Sequence, residues 1–230
     1  MKNIIFITNP SNNYSIKSWE YWCKKNNCEI FILNESYYSN NLFNKFIIFD
    51  LLENENISYD QILITNTDTI INPNAPNIFN LTQNKLCGCF YDSSYSWLFR
   101  SIENYSKFMF NGATFPYYEY LDMGVIVVNK EHKSFFKKIQ DFYLHNEDNI
   151  AKMDQTFNVG TDSPVFNFLL HENKVDLKVL PYEWNMQDMP RKEVINNDFI
   201  FTKIGWIYQF NLLQNKENWI ENTYKHLFND

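Results

Sequence analysis

The run ILITNTDTIINP at 62 to 73 is a string of β-formers that breaks into Asn66, Thr67 and Asp68 before its apolar character resumes. A polar interruption at the tip of a buried strand costs desolvation unless something binds there. Asp68 is the residue able to do most, because a carboxylate can hold a cation that in turn bridges to a phosphate. Two more acids stand in similar settings: Asp122 opens the apolar run YLDMGVIVVN, and Asp162 begins DSPVFN. Each has a plain structural use as well. Asp68 suits a turn or helix cap, Asp122 a bulge starting a strand, and Asp162 an N-cap with Pro164 in the first turn.

These acids need a scaffold. NIIFIT (3 to 8), CEIFIL (28 to 33) and DQILIT (60 to 65) read as strands. Between them lie two helical patterns, Ile16, Trp19, Trp22 and Cys23 behind a cap at Ser15, then Leu42, Phe43, Phe46, Phe49 and Leu52. This βαβαβ start implies a parallel sheet covered by helices, with ligands beyond the carboxyl ends of the strands. The triplet 66 to 68 and the loop from Thr8 to Tyr14 fall at that edge. Further on, 85 to 91 is strand-like, 94 to 110 helical, 120 to 129 a polar kink followed by a strand, and 135 to 143 an amphipathic helix. A polar stretch (145 to 163) precedes a short helix (164 to 172), strands at DLKVLP and FIFTKI, and a closing helix around Trp219, Ile220, Tyr224 and Leu227.

The 230 residues suit one domain, and the formal net charge of −7 is spread along the chain. No basic patch invites nucleic acid, and no apolar run reaches membrane-spanning length. The MKNIIFITNP start is too short in apolar residues for a signal peptide, so a cytoplasmic protein is expected. Cys23, Cys28, Cys87 and Cys89 lack zinc-site spacing and read as reduced core thiols. His132, His145, His171 and His226 show no metal spacing and read as surface residues, and Arg100 as part of a solvated helix face.

Taken in order, the motifs resemble a GT-A glycosyltransferase, most similar to the glycogenin-like and galactosyltransferase enzymes of glycosyltransferase family eight. ITNPSNNY places Thr8, Asn9 and Tyr14 where that family lines its nucleotide pocket. Asn66-Thr67-Asp68 stands at its Asp-x-Asp motif, Asp122 and Gly124 at its Asn-x-Gly strand, Asp162 at its Asp-Gln helix start, and Trp184 and Asn185 at its Trp-Asn pair. DQTFN (154 to 158) is the alternative for the helix start; Asp162 is preferred because FNFLL and VLP follow at the family's distance.

The resemblance implies an α/β GT-A domain with a mixed, mostly parallel sheet, a nucleotide-binding half over 1 to 92 and an acceptor and sugar half over 93 to 230. It implies hexosyl transfer from a nucleotide-diphosphate sugar, UDP-sugar favoured, to a glycan, protein or small-molecule hydroxyl. Mn²⁺ or Mg²⁺ on Asp68 and Asn66 would assist, while Asp122 and Asp162 orient the sugar or act as base. The chain departs from the pattern at Asn66, a neutral first motif position, and at Thr202, where the family has His. Lys203 beside it is the expected substitute, pairing with the diphosphate as a point charge. A sugar nucleotidyltransferase is the rival enzyme, though NPSNNYS lacks its Gly-rich phosphate loop, and a non-catalytic nucleotide- or sugar-binding relative is the rival from another class.

Overall fold

A computed structural model of the chain describes residues 2–8, 12–190, 198–211 and 213–229. Its centre is a six-stranded sheet in the order β2-β1-β3-β6-β5-β7. The strands are β1 (Asn3–Thr8), β2 (Cys28–Leu33), β3 (Gln61–Thr65), β5 (Leu86–Phe90), β6 (Leu121–Asn129) and β7 (Leu177–Val179). A two-stranded sheet beside it joins β4 (Thr69–Ile71) to β8 (Ile207–Gln209). In the large sheet only β6 runs against its neighbours, so the sheet is mixed and mostly parallel.

Alternation along the strands fills both faces. Ile4, Phe6, Ile62, Ile64, Ile126 and Val128 enter one core, and Ile5, Ile7, Leu63, Val125 and Val127 enter the other. Burial on both sides explains why these strands read as nearly continuous apolar runs. The first face is covered by α2 (Ile48–Asn54), α3 (Tyr95–Phe108), α4 (Lys133–Phe157) and α5 (Asp162–Glu172). The second is covered by α1 (Asn13–Asn26) through Trp19, Trp22 and Cys23. Indole donors lock α1 to the chain beyond the motif: Trp19 Nε1 reaches Thr69 Oγ1 at 3.1 Å and Trp22 Nε1 reaches the Ala75 carbonyl at 2.9 Å. The closing helix α6 (Lys216–Phe228) packs Ile220 under the small sheet with Ile70, Tyr208 and Phe210.

Several expectations change. Asn12, not Ser15, caps α1, because its side chain accepts from the Tyr14 and Ser15 amides while the Ser15 hydroxyl is spent on the Thr69 carbonyl. The helix expected over 42 to 52 starts as a 3₁₀ segment (Asn41–Ile47) before α2. α4 runs on through the polar stretch to Phe157, because Ile150 and Met153 extend the buried stripe of Phe136, Ile139 and Tyr143 at helical spacing. FIFTKI is a 3₁₀ turn (Ile200–Lys203), not a strand: Phe199 takes φ 49° and the Thr202 hydroxyl donates to its carbonyl. Extended structure resumes only at β8. Asp122 does lie in an irregular stretch, as a bulge requires: between the pairs Gly88–Ile126 and Phe90–Leu121, β5 advances two residues and β6 five, so the extra residues belong to β6. His132 is buried, with Nδ1 accepting from the Asn129 amide at 3.1 Å, and His171 stacks on Phe115 with ring centroids 4.1 Å apart; His145 and His226 are exposed. The four cysteines are free thiols, and only Cys28 is not fully buried.

Phe166 on α5 is completely buried, 6.2 Å from the Phe46 ring and 5.5 Å from that of Phe135. Phe166→Ala should cost about 3–5 kcal/mol in urea unfolding. A loss below about 1 kcal/mol would mean this face is not closely packed.

Candidate active site

β3 delivers the polar triplet, and β6 meets it from the opposite direction. Thr65 pairs with Val125, and one step further the Asn66 amide donates to the Gly124 carbonyl at 3.2 Å. The carboxyl end of β3 therefore faces the beginning of β6, where Asp122 sits. Asp122 Oδ1 accepts from the Gly124 amide at 2.7 Å and from Asn185 Nδ2 at 2.8 Å. Burial raises its pKa above the ordinary carboxylate value, and these two hydrogen bonds oppose that shift. Gly124 is needed for space: a Cβ there would lie 2.6 Å from Gln209 Oε1 and 2.7 Å from Asp122 Oδ1.

These groups line a cavity of about 620 Å³, within the usual range for small-molecule sites. It takes Asn66 from the motif, Asp122 and Gly124 from β6, Gln209 and Asn211 from and after β8, Asp162 and Ser163 from α5, and Tyr91, Trp97 and Arg100 around α3. Thus Asn66, Asp122, Gly124 and Asp162 of the expected residues share one wall, and Asn185 joins them through Asp122. Asp162, the first residue of α5, forms a 2.9 Å ion pair with Lys45, the two side chains 9% and 5% exposed. Lys45 went unnoticed in the sequence although a lysine inside FNKFIIF is the visible signal of a buried partner. Arg100 is exposed, as expected, yet stands on the cavity rim and donates to the Asn158 carbonyl at 3.3 Å.

Three acceptors near this wall, Asn185 Oδ1, Gln209 Oε1 and Asn211 Oδ1, are buried without a partner. An unsatisfied buried polar atom costs about 1–3 kcal/mol. Each of these oxygens is covered by protein, so the cost is one of packing. Nothing in their sequence context marks Gln209 and Asn211; tertiary packing alone brings Gln209 beside Gly124 and both residues into the cavity lining.

Of the remaining expected residues, those that are described lie outside the cavity lining. Asn9 falls outside the described residues. Thr8 is half-buried at the end of β1. Tyr14 turns to α6, its hydroxyl donating to Glu221 at 3.2 Å and its ring 5.3 Å from that of Tyr224. Thr67 and Asp68 form the turn from β3 to β4. Trp184 belongs to the core around α1, and Lys203 is exposed on its 3₁₀ turn. Thr202 is structural, its carbonyl accepting from Asn72 and Tyr208.

Asp68 is only 14% exposed and has Lys216 Nζ 3.6 Å from Oδ2. A hard divalent cation needs several oxygen donors, with negative charge among them. Here one carboxylate faces an ammonium, Asn66 adds only a neutral amide oxygen, and among the described residues no group of three His, Cys, Asp or Glu converges. The donors as folded do not fit a resident Mn²⁺ or Mg²⁺. The cation beside Asp68 is Lys216.

Lys45→Met would strand the Asp162 carboxylate, and unfolding should show a loss of about 3–5 kcal/mol that a second change, Asp162→Leu, largely restores. Equal losses in the single and double variants would remove the ion pair from the account. For Asp122 the sign runs with its raised pKa: the folded state favours the protonated form, so stability is greatest below the unfolded value of 3.8 and declines as pH rises through the folded pKa. Asp122→Asn lacks that decline. Its stability relative to the parent should therefore climb as pH is raised from below 3.8 towards neutrality, and a flat difference would refute the burial effect.

No protein-family model matches the sequence, and no curated protein matches it. Solved structures share its fold. A glycosyltransferase involved in glycosylation of the major capsid of PBCV-1 superposes with a TM-score of 0.61 at 12% identity, covering 96% of this chain and 98% of that one. The glycosyltransferase GlyE of Streptococcus pneumoniae TIGR4 gives 0.54 at 13% identity; this chain is covered completely and spans 62% of GlyE. The galactosyltransferase LgtC, in complex with donor and acceptor sugar analogues, gives 0.51 at 11% identity over 99% of this chain and 95% of LgtC. At such identities the likeness is one of fold, and it does not single out family eight. The chain has the GT-A fold of these glycosyltransferases.

Proposed function

We propose that the chain transfers a sugar, a hexose by the motif resemblance, from a nucleotide-diphosphate donor of the UDP type to a hydroxyl acceptor. The observation that carries this reading is the polar cavity at the tip of β3, which Asn66, Asp122, Gly124, Asp162 and Gln209 line together. A sugar ring supplies several hydroxyl donors to such a wall. Residues 1 to 92 would hold the nucleotide, with Thr8, Asn9 and Tyr14 on its side, and 93 to 230 the sugar and acceptor. A cytoplasmic setting accords with the four free cysteines.

In the reaction the bond from the anomeric carbon to the diphosphate oxygen breaks, and the diphosphate departs with the electron pair. A bond from the acceptor oxygen to that carbon forms, and the acceptor proton passes to a base. Both recorded donors to Asp122 fall on Oδ1, so Oδ2 is the atom available to a substrate hydroxyl. A carboxylate with a raised pKa is the better base. Asp162, already paired with Lys45, would fix the local charge and the start of α5 rather than take the proton. Lys216, in place of the expected Mn²⁺ or Mg²⁺, would meet the charge developing on the diphosphate, and Lys203 would play no part.

The test is calorimetry with UDP and turnover of UDP-glucose and UDP-galactose, each with EDTA and with Mn²⁺. Donor cleavage is expected, with UDP affinity unchanged by EDTA, weakened about tenfold by Lys216→Ala, and turnover reduced about 10²-fold or more by Asp122→Asn. Binding without turnover would assign the chain to non-catalytic sugar binders. Strict Mn²⁺ dependence would return the charge role to a metal.

A further inference from the structure

Beside the sugar cavity stands a row of aromatic rings. Tyr91 lines both that cavity and a neighbouring groove of about 270 Å³, walled by Phe90, Tyr95, Tyr117, Tyr118 and Tyr182. At the end of β5, Cys87 and Cys89 stay buried while the last residue, Phe90, is 37% exposed at the edge of the groove. Across the groove, the 3₁₀ turn Tyr117–Glu119 presents two tyrosines, with the Tyr117 ring 6.3 Å from Tyr95 and 5.5 Å from Tyr118. Tyr95 is 55% exposed and Tyr118 60%.

Large aromatics held this far into solvent beside a cavity call for an occupant. The groove's chemistry narrows what it is. Tyrosine offers an apolar face and a hydroxyl at its edge, which matches the C–H face and hydroxyl rim of a sugar ring. Among the described residues the groove lining contains no lysine or arginine and one charged residue, Asp92, which disfavours a phosphorylated or otherwise anionic ligand. A stable protein interface requires about 800 Å² on each partner, whereas this is a ligand-sized groove. Adjacency supplies the last argument, because Tyr91 lines both the groove and the cavity that holds Asp122.

We propose that this groove is the acceptor subsite and that it takes a neutral oligosaccharide, stacked on Tyr95 and Tyr118, with its reacting end passing Tyr91. The proposal rests on the glycosyl-transfer reading and narrows its acceptor to a glycan. The Tyr117–Glu119 turn is thus a specificity element, and Tyr95 and Tyr118 are acceptor-positioning residues at a distance from the chemistry.

The test is saturation-transfer NMR on the full chain with maltotriose, cellotriose, lactose and chitotriose, in the absence of donor. Variants Tyr95→Ala and Tyr118→Ala are compared with Tyr21→Ala, which alters an exposed tyrosine on α1. At least one oligosaccharide should bind through its ring C–H protons, with affinity reduced about tenfold by each groove variant and unchanged by Tyr21→Ala. Failure of all four sugars to bind, or binding equal in parent and groove variants, would overturn the subsite. So would a concentration-dependent dimer in sedimentation that Tyr118→Ala abolishes, since the face would then belong to a second copy. Cleavage of UDP-sugars in the same variants separates the two claims. Cleavage without glycan binding removes only the subsite, and glycan binding without donor cleavage removes only the transferase reading.

Discussion

The antiparallel pairing of β6 with β3 is the constraint from which the site follows. In a wholly parallel sheet the residue beside the tip of β3 would be the end of another strand. Here it is the beginning of β6, so that Asn66 hydrogen-bonds Gly124 and Asp122 stands two residues away. The same reversal lets β5 pair with β6 and brings Phe90, at the edge of the groove, opposite Leu121. One strand direction thus places both the acid of the cavity and the aromatic groove beside it.

The wall so formed is rich in buried polar groups, and they are balanced unequally. Lys45 and Asp162 neutralise one another, and Asp122 has two donors on one oxygen. Asn185, Gln209 and Asn211 each leave a buried acceptor without a donor. A protein tolerates such costs where the surrounding core holds the groups in place, and here interdigitated aromatic cores on both faces of the sheet do so.

The turn from β3 to β4 shows a different balance. Its carboxylate, Asp68, meets a lysine from α6, and its backbone carbonyl accepts from Phe210 at 2.9 Å. The C-terminal helix therefore closes over the motif and supplies a fixed monovalent charge. A point charge on a flexible stem stabilises a leaving diphosphate without demanding the multi-oxygen cage of a divalent ion.

The sequence by itself determined the six strands of the large sheet and most of the helices, because period-two and period-3.6 apolar patterns record local burial; the short β4 and β8 carry too little pattern to be read. It also marked Asn66, by the polar break in an apolar run, while Asp122, Gly124 and Asp162 were reached through the motif resemblance. It misplaced Ser15 and FIFTKI, and it stopped α4 early, where a side-chain hydrogen bond, a left-handed residue or a sparse buried stripe decided the outcome. Only the tertiary structure decided which charge meets which. Lys45 with Asp162, Lys216 with Asp68, and Gln209 beside Gly124 are separated by 85 residues or more. Partnerships across such distances depend on how helices and strands pack, and no local pattern of residues encodes them.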